Sequence, residues 1–192
     1  MSSASSISTS SLIQSESVTA SSVADYLWQH VNGKIMTDNT HRNSDIWIWN
    51  SNKRLWTKSE FPRVASYLKK LLRTHLDQLE DSENLQKFAR KIRKVSFGVE
   101  ITEELLKFAH NPDDISKLNS NLDLLPIQDG KVIDLRTSEC RDRIQDDYFS
   151  VECNVKYDPM ASSPIVDKFL NDITLDRDEI KGLLQIVMGS CL

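Results

Sequence analysis

The chain has 192 residues, of which 39% are hydrophobic and 27% are charged, with five Gly and five Pro. This composition is typical of one globular domain with a small appendage. No run of 18 apolar residues occurs, which excludes a membrane-spanning helix, and the N-terminus lacks the basic and apolar regions of a secretory signal. Three scattered cysteines without a Cys-x-x-Cys pair predict reduced thiols in an intracellular protein rather than a disulfide framework.

The net charge of −4 conceals opposite charges in two parts of the chain. Between Lys53 and Lys94 there are twelve basic and five acidic residues, whereas from Asp113 onward there are nine basic and sixteen acidic ones. A basic middle and an acidic C-terminal third predict a polyanionic partner at one surface, or two unlike surfaces in an assembly.

The N-terminal elements follow from composition and periodicity. Residues 1–22 contain eleven serines and one charged residue, which predicts a disordered tail, and globular sequence begins at Val23 with a first helix that ends at Asn32-Gly33. Aromatic and β-branched residues on both sides of the Asn-rich stretch 50–54 predict a β-hairpin. The spacing of apolar residues then predicts three helices, from Ser59 to Glu80, from about Ser82 to Val95, and from about Thr102 to Asn111-Pro112, with an interruption at Gly98.

The pattern changes after Pro112. Short strands are predicted on both sides of the tight turn at Asp129-Gly130, and another from Tyr148 to Tyr157. Ser163-Pro164 predicts the start of a helix, and Asp176 the cap of a last one, whose apolar end predicts a continuation beyond the sequence. The predicted class is α+β, mostly helical with short β-hairpins and a C-terminal helical, collar-like segment. The predicted division is a tail at 1–22, a hairpin with basic helices at 23–112, and a strand-turn-strand with a helical connector at 113–192.

No catalytic site is visible in the sequence. A phosphate-binding loop of the form Gly-x-x-x-x-Gly-Lys-[Ser/Thr] is absent, and the four histidines are far apart along the chain, which gives no metal-binding motif. The carboxylate pairs Asp113-Asp114 and Asp146-Asp147, and Asp176 with Asp178, fall at predicted helix starts and turns, where Asp is common as a cap. A free-standing enzyme is therefore the least favoured class.

The basic middle is the better candidate for function. The nine residues from Gln86 to Lys94 hold five cations and no acid, whereas a solubilising helix face usually mixes both signs. If the two basic helices pack by their apolar faces, their cations can form one stripe that binds a phosphate backbone without sequence specificity. The alternative is a charged face that only meets solvent. The predicted DNA-binding residues are Lys53, Arg54, Lys69, Lys70, Arg73, Lys87, Arg90, Lys91, Arg93 and Lys94.

Three tryptophans near the basic turn, Trp47, Trp49 and Trp56, allow a second interpretation. They can form a platform on which nucleobases stack. An aromatic hairpin is more often the packed edge of a core, and that interpretation is favoured here.

The stretch from Leu124 to Thr137 resembles a signature of superfamily 3 primase-helicases from large DNA viruses, phages and plasmids. It reads Leu-Leu-Pro-Ile-Gln-Asp-Gly-Lys-Val-Ile-Asp-Leu-Arg-Thr, with Asp129 where the family usually has Asn before Gly. Asp146-Asp147-Tyr148, Tyr157-Asp158-Pro159 and the stretch Leu183–Gly189 follow in the family's order, and Trp47–Trp56 resembles the family's short hairpin. The resemblance covers most of residues 24–192.

The resemblance implies that the chain is the connector ahead of a helicase ATPase core, in the collar of a hexameric ring. The Walker motifs and the arginine finger are then expected beyond Leu192, so ATP and Mg²⁺ belong to that downstream domain and no cofactor is expected in this chain. The implied partners are single-stranded or forked DNA, the chain's own helicase domain and neighbouring subunits, with no membrane. The implied location is a viral replication site in the host cytoplasm or nucleus. The alternative is a purely structural oligomerisation or protein-interaction module without affinity for DNA.

Overall fold

The computed structural model describes residues 18–31, 33–77 and 83–189. Within these residues there are seven α-helices and two three-stranded antiparallel sheets, which confirms the predicted α+β class. Residues 1–17 of the predicted Ser-rich tail lie outside the described residues. None of the helices in the described ranges is long and apolar enough to cross a membrane.

The N-terminal part contains one sheet and four helices. Their bounds are α1 (Ala20–Val31), β1 (Ile35–Thr37), β2 (Ile46–Asn50), β3 (Leu55–Ser59), α2 (Phe61–Leu76), α3 (Glu83–Arg93) and α4 (Val95–Ala109). The predicted hairpin is confirmed as β2 and β3. The two strands pair antiparallel, with Ile46 opposite Ser59 at one end and Asn50 opposite Leu55 at the other. The sequence did not predict β1, which pairs with the other edge of β2.

The main core lies between α1, α2, α4 and the inner face of the first sheet. Its fully buried side chains include Leu27 of α1, Ile46 of β2, Leu68 of α2 and Leu105 of α4. These residues recur at helical spacing, so each helix buries one apolar stripe and leaves its polar face outward. Burial of each such side chain stabilises the fold by about 1.5–3 kcal/mol relative to exposure.

The C-terminal part contains the second sheet and three helices. Their bounds are α5 (Pro112–Ser116), β4 (Leu124–Ile127), β5 (Lys131–Asp134), β6 (Cys140–Asp142), α6 (Pro164–Thr174) and α7 (Asp178–Gly189), with a 3₁₀ turn at Gln145–Asp147. The predicted turn at Asp129-Gly130 is confirmed, and both residues have positive φ values, 62° and 69°. A small second core joins the two sheets, formed by Leu55, Val132 and Phe149 with Leu124 against it.

Several predicted elements differ from the structure. Gly98 does not interrupt a helix but lies inside α4, because the apolar stripe of that helix continues through Phe97 and Ile101 on both sides of it. The predicted strand at Tyr148–Tyr157 is wrong. That segment contacts the second sheet through an isolated bridge between Cys153 and Ile127 and a hydrogen bond from the Gln128 N–H to the Val155 carbonyl at 3.0 Å. Residues 151–157 are all exposed rather than alternately buried. Helix α1 starts at Ala20, inside the segment whose composition predicts a tail, and Val18 packs partly against the main core.

The chain divides into two compact units between residues 156 and 157. The second unit is a pair of helices, α6 and α7, in which Leu170 and Thr174 are buried. The predicted cap at Ser163 is confirmed, since its hydroxyl accepts a hydrogen bond from the N–H of Val166 at 3.4 Å. The second helix begins at Asp178 rather than directly after Asp176, whose φ of 57° lies in the left-handed region. The division that the sequence predicts at residue 112 stays a prediction.

Candidate nucleic-acid interface

Helix α3 carries four of the ten predicted DNA-binding residues, and its packing explains their placement. Phe88 and Ile92 are buried at 4% and 2% exposure, so one face of the helix packs on the core. The cations Lys87, Arg90, Lys91 and Arg93 of this helix, and Lys94 directly after it, are all exposed. Because the two buried residues fix the helix's rotation, the cations must point away from the main core.

A groove between the C-terminal end of α2 and α3 brings two of the predicted residues together. The groove has a volume of about 310 Å³, its apolar floor includes Leu76 and Ile92, and Arg73 and Arg93 line it from the two helices. Asp77 also lines the groove. Within the described residues, however, no carboxylate lies within ion-pair distance of either arginine. Both guanidinium groups are therefore available to an anionic ligand.

Three further predicted residues lie on α2 or at the start of α4, outside the lining of this groove. Lys70 is exposed on α2, one turn before Arg73, and Lys94 is exposed at the N-cap of α4. Lys69 is half-buried, because its alkyl chain lies over Gly98 of α4. A Cβ at residue 98 would come within 2.0 Å of its Cε. The ammonium of Lys69 thus lies along the contact between α2 and α4.

Lys91 faces the opposite flank of α3 from Arg93. Residues two apart on a helix differ by about 200° in direction. The Lys91 ammonium donates to the backbone carbonyl of Val18 and lies 4.6 Å from the ring centroid of Phe97. Lys87, one turn earlier, belongs to the same flank as Lys91. The cations of α3 therefore spread over roughly 160° of its outer face, from Arg93 through Arg90 and Lys87 to Lys91, rather than lying along one line.

The two predicted residues in the β2–β3 turn lie against the second sheet. Arg54 is half-buried and its guanidinium pairs with Asp142 of β6 at 2.7 Å, while its alkyl chain contacts Gly130. The hydrogen bond and charge of Arg54, together with Lys131, lower the pKa of the Asp142 carboxyl. Lys53 is exposed, and its backbone carbonyl accepts a hydrogen bond from Arg143 at 3.2 Å. The turn is therefore tied to the second sheet through both residues.

The three tryptophans lie on one face of the first sheet, with Trp49 directly opposite Trp56 and their ring centroids 5.8 Å apart, but Trp56 is not open to a nucleobase. Trp56 is 2% exposed, its indole N–H donates to the carbonyl of Gln145 at 3.1 Å, and its ring stacks on that of Tyr148. Trp47 and Trp49 are half-buried on β2. The interpretation as a packed edge is confirmed for Trp56, because its buried ring lies between the first hairpin and the turn that follows the second sheet.

The carboxylate pairs serve as caps and ion pairs. Asp113 and Asp114 lie in the first turn of α5, and Asp114 pairs with Lys117 at 2.6 Å. Asp147 accepts two hydrogen bonds from Arg141, at 2.7 and 2.8 Å. Among the described residues there is no group of three or more His, Cys, Asp or Glu side chains that could hold a metal ion.

Sequence reasoning missed two features of this fold. Arg143 has a fully buried side chain that pairs with Glu152, although neither composition nor spacing distinguishes it from a surface arginine. His30 and His75, 45 positions apart in sequence, have ring centroids 4.5 Å apart. The inference that the histidines are far apart holds along the chain but is wrong in space for this pair, because α1 and α2 pack side by side.

Comparison with known proteins identifies the family. The family described as D5 N terminal like matches residues 24–175, which is most of the chain. The chain belongs to the D5 N-terminal-like family. This family is a domain found in primase-helicase proteins of poxviruses and phages, in agreement with the resemblance noted in the sequence. A search of curated proteins gives no match.

The D5 N-terminal-like match begins within α1 and ends in the turn after α6. It thus includes both sheets, the groove between α2 and α3, and the first helix of the second unit, while α7 lies outside it. In primase-helicases this domain is an N-terminal region that is not the ATPase.

Proposed function

We propose that this chain is a non-catalytic connector of a viral DNA helicase-primase, and that it binds DNA through phosphate contacts. The family association supports the replication context. The observation that carries DNA binding is the groove lined by Arg73 and Arg93, because two guanidinium groups from different helices face it and neither pairs with a carboxylate of the residues that the structure describes. A phosphodiester accepts charge-assisted hydrogen bonds from such groups with favourable geometry.

The path of a bound strand would follow the exposed cations around this groove. Lys70 and Lys94 extend the cationic surface along α2 and toward α4, and Arg90 lies on the outer side of α3. Contacts of this kind recognise phosphates and carry no sequence information, so we expect binding to single strands or forks of any sequence. Lys69, held over Gly98, would add charge at the edge of the same surface.

The remaining predicted residues belong to other surfaces. Lys87 and Lys91 lie on the opposite flank of α3, and Lys53 and Arg54 lie at the second sheet. In this proposal Arg54 stabilises the turn through Asp142, and the Lys87–Lys91 flank is a separate, weaker contact. The two guanidinium groups of the groove are the central ligands.

In the full replication protein, the ATPase core elsewhere in the polypeptide would supply ATP and Mg²⁺ chemistry. We propose that the connector supports a hexameric ring at viral replication sites. The second unit is suited to contacts with the helicase domain or a neighbouring subunit, since Phe169, Leu183 and Ile186 expose 57%, 60% and 72% of their surface. Apolar exposure of this extent in one short segment is typical of an interaction surface.

The test is the affinity for a fluorescein-labelled, single-stranded oligonucleotide, measured by anisotropy over a series of salt concentrations. With about four phosphates contacted, the slope of log affinity against log salt should be about −3. The double variant Arg73→Glu/Arg93→Glu should weaken binding by at least about tenfold and make the slope shallower by about one to two.

The matched control is Lys168→Glu/Arg177→Glu, which makes the same change in net charge on exposed residues of the second unit. It should leave the affinity within a factor of about two. The variant Lys87→Glu/Lys91→Glu then measures the opposite flank of α3. Equal losses in the groove variant and the control would mean that only net charge matters, and wild-type protein without DNA affinity at low salt would refute the proposal.

A second candidate function is favoured by the charge distribution. From Asp113 onward the chain has sixteen acidic and nine basic residues, so the basic surface of one copy can meet the acidic part of another. The chain would then be an oligomerisation module without DNA affinity. Light scattering at low and high salt distinguishes the two functions. Self-association that is lost at high salt, in a protein that does not bind DNA, fits only the oligomerisation module.

A further inference from the structure

The C-terminal turns of α1 and α2 bring together a pair of imidazoles that the proposed function does not use. His30 and His75 occupy the last turns of the two helices, and their ring centroids are 4.5 Å apart with an interplanar angle of 59°. His30 is exposed and His75 is half-buried, so solvent reaches the pair. Both rings contact the ring of the buried Tyr26, at centroid distances of 4.3 and 5.7 Å.

Hydrogen bonds fix one nitrogen of each ring. His30 Nδ1 lies 2.8 Å from the backbone carbonyl of Tyr26, and only a protonated nitrogen can donate to a carbonyl. His75 Nδ1 lies 2.9 Å from the phenol oxygen of Tyr26. In both rings the second nitrogen, Nε2, has no hydrogen-bond partner among the described residues. His30 therefore has the arrangement of a metal-ligating histidine, with Nδ1–H anchored to a carbonyl and Nε2 available. His75 has the same arrangement in the tautomer that donates from Nδ1 to the phenol oxygen.

The distance between the rings fits a shared ion. With metal–nitrogen bonds of about 2.0–2.1 Å, two imidazoles bound to one ion have centroids about 4.5–5.2 Å apart. Both histidines also lie at helix C-termini, where the carbonyl ends of the helices favour a cation.

We propose that His30 and His75 together bind one divalent late transition-metal ion through their Nε2 atoms, with zinc as the ion tested. Imidazole suits such ions, whereas Mg²⁺ and Ca²⁺ prefer oxygen ligands. Two protein ligands leave the remaining coordination positions to water, so the bound ion crosslinks the ends of α1 and α2 rather than forming a closed structural centre. The ion would stabilise this helix pair by RT ln(1 + [Zn²⁺]/Kd), so stability rises with the logarithm of the ion concentration once this exceeds Kd.

The experiment is calorimetric titration of the full-length, untagged protein with Zn²⁺ at pH 7.4, with a non-chelating reductant and with Mg²⁺ as the control ion. We expect one Zn²⁺ per chain, no heat from Mg²⁺, and a thermal unfolding midpoint that rises with Zn²⁺. His30→Gln should weaken Zn²⁺ binding by about tenfold or more, since it removes one of two ligands. This variant keeps the fold accessible to measurement, because His30 is exposed.

The chain supplies its own matched controls. His41→Gln and His110→Gln change the other two histidines, both exposed, and should leave Zn²⁺ affinity unchanged. His75→Gln should match His30→Gln in Zn²⁺ binding, and Gln can still bond the Tyr26 hydroxyl. Absence of Zn²⁺ binding, binding that survives His30→Gln because the cysteines hold the ion, or equal losses in all four histidine variants would each overturn the proposal.

Discussion

The indole N–H of Trp56 donates to the backbone carbonyl of Gln145 across 3.1 Å, which joins two segments 89 positions apart in the chain. The ring of Trp56 is also stacked on Tyr148 with an interplanar angle of 8°, and its backbone N–H donates to the carbonyl of Phe149 at 2.8 Å. One residue therefore fastens the first hairpin to the segment that follows the second sheet. From the sequence alone, Trp56 could have stacked with nucleobases. In the structure its side chain is buried instead.

This contact predicts the effect of Trp56→Phe. The substitution removes the indole donor and part of the ring volume, so the Gln145 carbonyl loses its partner and a gap forms beside Tyr148. We expect the free energy of unfolding to fall by about 1–3 kcal/mol. Urea unfolding followed by circular dichroism measures it, with Trp49→Phe as the control, because Trp49 is half-buried and should change stability by less than half as much.

The buried ion pair of Arg143 and Glu152 predicts unequal effects of removing its two members. The Arg143 side chain is fully buried, whereas the carboxylate of Glu152 is 31% exposed. Two nitrogens of Arg143, Nε and Nη1, have no hydrogen-bond partner among the described residues. Glu152→Ala leaves a buried, uncompensated charge and should destabilise the protein by about 3 kcal/mol, while Arg143→Met removes that charge and should cost less than about 1 kcal/mol.

The double variant Arg143→Met/Glu152→Ala provides the check on this account. It should be more stable than Glu152→Ala alone, because the uncompensated charge is gone. If Glu152→Ala is harmless, the guanidinium is solvated and the ion pair does not hold the two sheets together.

The ion pair of Arg54 and Asp142 predicts a dependence of stability on pH. Since the folded protein holds the pKa of Asp142 below its usual value of 3.8, the unfolded chain binds the proton more readily. The contribution to stability is then complete above the unfolded pKa and is lost as the pH falls through the folded pKa. Asp142→Asn should therefore be less stable than the wild type at pH 7 and equally stable at pH 2.

Urea midpoints of both proteins at pH 7, 4 and 2 measure this difference. Asp172→Asn serves as the control, because Asp172 is exposed on α6 in the other compact unit. It should show no comparable change in the difference with pH. A stability gap for Asp142→Asn that persists at pH 2 would assign the effect to lost packing instead of charge.

Two glycines predict opposite responses to the same substitution. Gly98→Ala places a methyl group against the far end of the Lys69 side chain, which can move aside, and gains helix propensity of about 1 kcal/mol inside α4. It should be neutral or stabilising by up to that amount. Gly130→Ala forces a side chain onto a backbone with φ of 69° and should destabilise by about 1 kcal/mol or more. The thermal unfolding midpoints of the two variants, compared with that of the wild type, show whether each substitution stabilises or destabilises the protein.

Periodicity predicted the helices and the first hairpin because each of these elements buries one regular stripe. The register of β2 and β3 and the cap at Ser163 depend on neighbouring residues, and such local features can be predicted from sequence. The short strands β1 and β6 could not, because three residues give no measurable alternation. The segment after Tyr148 misled the prediction, since its apparent alternation is not matched by burial.

The candidate interface was predictable only in part. Charge composition identified α3 and the end of α2, and helical geometry placed their cations outward. The sequence did not predict that Arg73 and Arg93 line one groove, or that Lys91 lies over the ring of Phe97. Both arrangements depend on how α3 packs against α2 and α4. The meeting of His30 and His75 likewise depends on a contact between elements that are distant in sequence.

The family match ends between α6 and α7, and this boundary passes through a pair of helices that bury residues against each other. An isolated helix of 11 residues is marginal in water, so α6 needs a companion to remain folded. In this chain α7 is that companion. A fragment that stops where the family match ends would separate the two helices, and we expect α6 to unfold in it.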